Sequence, residues 1–170
     1  GRVESMWDVY LHENHLENGD VASDHYHRFR EDIRMMKEGG QNSYRFSLAW
    51  PRIIKNREGE VNQEGIDFYN RLIDACLEYG ITPMVTIFHW DLPQYLEEKG
   101  GWLNRDTCVA YTHYAKVCFE RFGDRVKLWA TFNEPRYYTN SGYLIGNYPP
   151  GHQDIQETVT ASYYMMLASA

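Results

Sequence analysis

Positive charge is in short supply in this chain: 17 Lys and Arg stand against 24 Asp and Glu, a formal net charge of -7 over 170 residues. Nucleic-acid backbones and anionic membranes are both held chiefly by clustered cations. That balance argues against nucleic acid as a partner, and no polybasic segment offers membrane attachment. Long apolar runs are missing too, with no window near the roughly 18 residues a bilayer span needs. Cysteine is sparse: Cys76, Cys108 and Cys118 are an odd number without CxxC spacing, which reads as reduced, buried thiols. With no signal-peptide pattern in Gly1 to Glu4, a reducing cytoplasm is the expected location. Neither GxGxxG nor GxxxxGK[ST] occurs, so no nucleotide cofactor is expected. HExxH and paired Cys/His signatures are absent as well. His12, Glu13 and His15, with His25 and His27 nearby, therefore match no strong zinc spacing, and no metal is expected.

What the chain has in excess is aromatic surface, 15% of residues, with 14 Tyr and 5 Trp. Such side chains suit sugar stacking and ordinary cores equally, so composition leaves the choice open. Periodicity gives the organisation. Asp24 can cap a helix carrying Tyr26, Phe29, Ile33 and Met36 on one face, ending at Gly39-Gly40. A strand from Ser43 to Trp50 follows. Asn62 can cap a second helix with Ile66, Tyr69, Leu72, Ile73, Cys76 and Leu77 at helical spacing, before a strand from Met84 to His89. A third helix, about Arg105 to Phe122, presents Ala110, Tyr114, Val117, Cys118 and Phe122 inward and leads to a strand at Lys127 to Ala130. A last helix starts near Ile155 or Gln156. Strand and helix units in succession, without a phosphate-binding loop, predict an α/β fold of parallel-barrel type.

Three strand ends carry polar or aromatic groups: Arg45 and Ser47, then His89-Trp90-Asp91, then Asn133-Glu134. Parallel barrels do their chemistry at the carboxyl ends of strands, so these residues are the candidates. Glu134, in Thr131-Phe132-Asn133-Glu134-Pro135, is a potential proton donor or an ordinary strand-end glutamate. His89 and Trp90 offer a hydrogen-bond donor and a stacking plate, or a core pair. Arg45, between Tyr44 and Phe46, should need a carboxylate to meet its charge. Tyr137, Tyr138, Tyr143 and Tyr148 read as a long aromatic loop that either frames an entrance or packs on itself.

Six ordered segments carry a family resemblance: Tyr44-Arg45-Phe46-Ser47, Trp50-Pro51-Arg52-Ile53, Val61 to Tyr69, His89 to Gln94, Gly100-Gly101-Trp102 and Thr131 to Pro135. Together the chain resembles family 1 glycoside hydrolases along essentially its whole length. The resemblance implies a partial (β/α)8 barrel, about strands 2–4 with flanking helices, forming the amino-terminal part of one domain. It implies a retaining β-glycosidase of β-glucosidase type, acting on a β-glucoside or oligosaccharide. By the same likeness Glu134 is the general acid/base, Asn133 meets the sugar 2-hydroxyl, His89 and Trp90 bind the glycone, and Arg45 pairs with the nucleophile. The family's nucleophile lies in a Thr-Glu-Asn-Gly type motif, and no such motif occurs among these residues. The 170 residues alone are thus expected to be inactive, and open sheet edges to invite self-association. The alternatives are the 6-phospho-β-glycosidase branch of the family and a non-catalytic sugar-binding or assembly fragment.

Overall fold

A computed structural model describes residues 1–170. Its centre is a parallel sheet of three strands, β1 (Ser43–Ser47), β2 (Thr82–Phe88) and β3 (Leu128–Phe132), in that spatial order. The register pairs Ser47 with Thr86, Thr86 with Ala130 and Phe88 with Phe132, so the three carboxyl ends lie level at one mouth. Helices α1 (Met6–Glu13) and α2 (His25–Glu38) precede β1, and α3 (Trp50–Ile53) and α4 (Gln63–Glu78) follow it. After β2 come α5 (Gln94–Glu97), a 3-10 turn at Gly101–Leu103 and α6 (Asp106–Phe122). β3 leads into α7 (Pro135–Thr139), a π-helical stretch (Asn140–Ile145) and α8 (Ile155–Ser169). No helix is long and apolar enough to cross a membrane.

The helices cover one face of the sheet because alternate strand residues are apolar there. Phe46, Val85 and Ile87 are buried against Ile66, Tyr69, Leu72 and Ile73 of α4 and Tyr114, Cys118 and Phe122 of α6, within one core cluster. All three cysteines are free and buried in this layer. Close approach matters at Gly65: a Cβ there would lie 2.0 Å from the Arg52 carbonyl oxygen, so α4 reaches α3 only as glycine. On the opposite face Arg45 is exposed and Leu128 is 48% exposed.

Several boundaries differ from the sequence reading. The first strand stops at Ser47, because Pro51 sits at the start of α3 and Trp50 opens that helix. Asp24 precedes α2 but its backbone is left-handed and its carboxylate accepts from His27 Nδ1 at 2.5 Å instead of capping the helix. Asn62 turns its amide to the carbonyls of Gly1 (2.7 Å) and Arg52 (2.9 Å). Leu77 is 43% exposed, one step off the buried stripe of α4. Helix α1 had no counterpart in that reading, although Ser5 and Asp8 form a capping box at its start. The aromatic loop after Glu134 is mostly helical, and α8 leaves Ile155, Val159, Tyr163 and Met166 exposed.

Where strands end, the ladder stops and backbone groups lose their partners. Buried tyrosines take them up. Tyr114 Oη donates to the carbonyls of both Ile87 (2.8 Å) and Leu48 (3.2 Å), linking β2 to the exit of β1. Tyr111 Oη donates to the Thr131 carbonyl at 2.7 Å, and the Ala49 N–H donates to Tyr69 Oη at 2.7 Å. Burial with the proton fixed pushes the Tyr114 phenol well above its ordinary range.

Tyr114→Phe keeps the ring stacked on Trp50, at 4.9 Å between centroids, and removes only the hydroxyl. Two buried carbonyls then lose a donor, so urea denaturation should show a loss of about 1–3 kcal/mol. Tyr163→Phe, on the exposed face of α8, should change stability by less than about 0.5 kcal/mol; equal effects at the two positions would contradict a stabilising role for the Tyr114 hydroxyl at the strand ends.

Candidate active site

At the mouth of the sheet the structure brings together three of the five expected residues, Arg45, Trp90 and Asn133, through direct bonds. Arg45 Nε donates to Thr86 Oγ1 at 2.9 Å, and its Nη2 donates to Asn133 Oδ1 at 2.8 Å. Trp90 Nε1 donates to the Asn133 carbonyl at 2.8 Å. The Asn133 N–H in turn donates to the Phe88 carbonyl at 2.9 Å, extending the β2–β3 ladder by one rung. Glu134 is next in the chain and exposed to the open mouth. His89 stands one residue from Trp90 and shares a hydrogen bond of 2.9 Å between its Nδ1 and Ser47 Oγ.

The Arg45 bond decides the orientation of the Asn133 amide. A guanidinium only donates, so the atom facing it is the amide oxygen, and the NH2 is left free to donate elsewhere. No carboxylate among these residues pairs with Arg45, and the Thr-Glu-Asn-Gly motif that would supply the expected nucleophile is not among them. The Arg45 guanidinium lies on the uncovered face of the sheet, where water carries the charge, and Thr86 and Asn133 set its direction. The Nε bond is well fixed, since Thr86 is fully buried.

Backbone strain marks the same two strand ends. Trp90 (φ 79°) and Glu134 (φ 41°) are non-glycine residues in the left-handed region, directly after β2 and β3. Each such residue costs on the order of 1–3 kcal/mol and persists only where its surroundings impose it. For Trp90 the surroundings are the Asn133 carbonyl and a ring stack on Tyr137, with centroids 5.7 Å apart and planes at 21°. Tyr148 packs against Trp90 at 5.9 Å. The four tyrosines expected as one loop therefore divide. Tyr138 and Tyr143 are fully buried core, while Tyr137 is 50% exposed and, with half-buried Tyr148, borders the mouth.

Burial lowers the His89 imidazole from its ordinary value, the Arg45 charge lowers it further, and Glu134 works in the opposite direction. Neutral His89 can therefore both donate and accept. Asp91 was noted in sequence only as part of a polar run. Its carboxylate is enclosed, Oδ2 accepts the Trp50 N–H at 3.2 Å, and Oδ1 has no partner. Desolvation raises its carboxyl to about 7, offset in part by backbone N–H groups and by Arg2. Thr86, Tyr69, Tyr111 and Tyr114 also escaped the sequence reading as site supports; the i, i+3 spacing of Tyr111 and Tyr114 on one helical face was the available signal. The histidines near the amino end do not converge: His12 pairs with Asp20, His25 with Asp32 and His27 with Asp24.

Chemically, the mouth offers one exposed carboxyl, a free amide donor, a neutral imidazole and the Nη1 of a guanidinium held by Thr86 and Asn133. That set can hold several hydroxyls and pass one proton.

The model of the family described as glycosyl hydrolase family 1 matches residues 1–170. The chain is 47% identical to beta-glucosidase A of Acetivibrio thermocellus over 174 residues, covering 99% of this chain and 38% of that protein. Against beta-glucosidase A of Thermotoga maritima the identity is 48%, with 100% and 39% covered. Among solved structures, the family 1 β-glucosidase from Thermotoga maritima superposes with a TM-score of 0.95 at 47% identity, over 99% of this chain and 40% of that one. The chain thus spans about two fifths of the length of the relatives it matches.

The Asp91 carboxyl yields a stability profile. Below its ordinary 3.8 it is protonated in folded and unfolded chains alike, and no penalty arises. Between there and about 7 the folded chain keeps a proton that the unfolded chain has released, so stability falls as pH rises, and the penalty is full above that range. Asp8 acts elsewhere. Its carboxyl is held down to about 2 by hydrogen bonds from Arg2 and Ser5 that outweigh its desolvation, so its contribution is complete above 3.8. Thermal melts of wild type and Asp91→Asn should therefore diverge progressively from pH 4 to pH 7, the variant losing less; parallel curves would contradict a buried ionisation at this position.

Proposed function

The chain belongs to glycosyl hydrolase family 1, its sheet and helices being three consecutive units of a (β/α)8 barrel, and on that premise we propose that it supplies the acid/base and glycone half of a retaining β-glucosidase. In this reading residues 1–170 are the amino-terminal part of a single barrel domain. The observation that carries it is the bonded row across the strand ends: Arg45 to Asn133, Trp90 to Asn133, and Glu134 beside them at the mouth.

Each group has a role its geometry supports. Glu134 protonates the glycosidic oxygen as the bond to the leaving group breaks, and later takes a proton from the attacking water. Asn133, with its oxygen committed to Arg45, donates its amide N–H to the sugar 2-hydroxyl, a bond that strengthens as positive charge develops at the anomeric carbon. His89, kept neutral, meets a glycone hydroxyl. Trp90 already gives its indole N–H to Asn133, so its contribution to the glycone is its ring and the placement of the amide. Arg45 Nη1 remains free to orient the second carboxylate, which in a retaining mechanism stands about 5–5.5 Å from the first.

β-Glucosides are the substrate class by analogy with beta-glucosidase A of Acetivibrio thermocellus and of Thermotoga maritima. No residue here offers the Thr-Glu-Asn-Gly context of the second carboxylate, so the 170 residues by themselves should not turn over substrate. The edge positions of β1 and β3 and the exposed apolar residues of α8 favour association of the isolated chain.

In a polypeptide extended to the relatives' length, Glu134→Gln should lower hydrolysis of an alkyl β-glucoside by about 10²–10⁴-fold. An activated aryl glucoside, whose leaving group needs little protonation, should suffer less at the glycosylation step. A loss that ignores leaving-group pKa, or turnover by the 170 residues alone, would defeat this assignment.

A further inference from the structure

The segment His89 to Leu92 is held at three points, and only the Trp90 bond has been given a role above. Trp90 is tied forward to the end of β3 through the Asn133 carbonyl. Leu92, fully buried, accepts the Met6 N–H at 2.9 Å through its own carbonyl. Between them Asp91 reaches back to the exit of β1, where Oδ2 accepts the Trp50 N–H. Trp50 is an immobile anchor: it is 1% exposed and its ring lies parallel to Tyr114, with planes at 5°. Asp91 therefore fixes the turn against a part of the core that cannot shift, immediately after a residue whose left-handed backbone needs outside support. An enclosed carboxylate oxygen without a partner is also costly, and a carboxyl kept in such a place for folding alone would be better replaced by an apolar side chain.

We propose that Asp91 is a positioning residue for the glycone site: its grip on the Trp50 N–H holds the His89-Trp90 turn, and through the indole of Trp90 it holds the Asn133-Glu134 strand end. The chain of contacts runs Trp50 N–H, Asp91, Trp90, Asn133, and it crosses all three strand ends. Arg45 closes it from beneath through the Asn133 amide. This deepens the functional reading above and rests on it for the ligand, but its geometric part stands apart from sugar binding.

The test follows the Trp90 indole N–H by 15N–1H NMR in a polypeptide extended to the relatives' length, with glucoimidazole as the added probe. Asp91→Asn retains an oxygen acceptor for Trp50 and should keep the Trp90 signal near its wild-type position. Asp91→Leu, isosteric in bulk but unable to accept, should move that signal upfield as the bond to Asn133 loosens, and should weaken the probe about tenfold, against less than about threefold for Asn. Should the leucine variant fail to fold, Asp91→Ser, too short to reach Trp50, gives the same reading. An unmoved Trp90 signal in folded Leu or Ser variants, or equal effects of Asn and Leu, would overturn the proposal. Correct Trp90 behaviour with no saturable probe binding by wild type would uphold the positioning role while removing the glycone reading.

Discussion

The mouth of this sheet exists because backbone groups at three strand ends find side-chain partners after the ladder stops. A parallel strand that simply ended would leave carbonyls and N–H groups buried and unpaired, each costing on the order of 1–3 kcal/mol. Tyr69 of α4, Tyr111 and Tyr114 of α6, and Asp91 after β2 remove that cost by bonding to Ala49, Thr131, Leu48, Ile87 and Trp50. Tyrosine is suited to this because its ring fills the core and its hydroxyl reaches a carbonyl at the rim.

That collar explains how strain can be stored next to it. Trp90 and Glu134 leave β2 and β3 through left-handed backbone, which turns the chain sharply and brings the Asn133 carbonyl under the indole. Without rigid ends on either side, such conformations would relax. With them, the candidate groups are presented by backbone that has few alternatives, which is the positioning that proton transfer to a bound ligand requires. The amide of Asn133 is the clearest product: Arg45 fixes its oxygen, Thr86 fixes Arg45, and its NH2 faces outward.

Much of this was legible in the residues. The helical stripe of Ile66, Tyr69, Leu72, Ile73 and Cys76 and the alternation through Val85 and Ile87 gave the α/β order, since burial follows those periods directly. The strand-end placement of Arg45, His89, Asn133 and Glu134 was also legible. The Ser5 and Asp8 capping box was present in the letters but was passed over, because the eight-residue helix after it has little apolar periodicity. The division of the tyrosines could not be read, since a hydroxyl that bonds a carbonyl and a ring that borders the open mouth leave the same letter. Only register decides, and register joins residues as distant as Leu48 and Tyr114.

The proposed retaining reaction needs two carboxyls, and its central claim is that Glu134 is the one that moves the proton. The most direct measurement is a crystal structure with a glucose-configured imidazole bound. The account places the Glu134 carboxyl within about 3.2 Å of the nitrogen that replaces the glycosidic oxygen, and the Asn133 amide nitrogen at similar distance from the 2-hydroxyl. A ligand seated away from the strand ends, or a Glu134 carboxyl turned from it while Asn133 binds, would contradict the assignment.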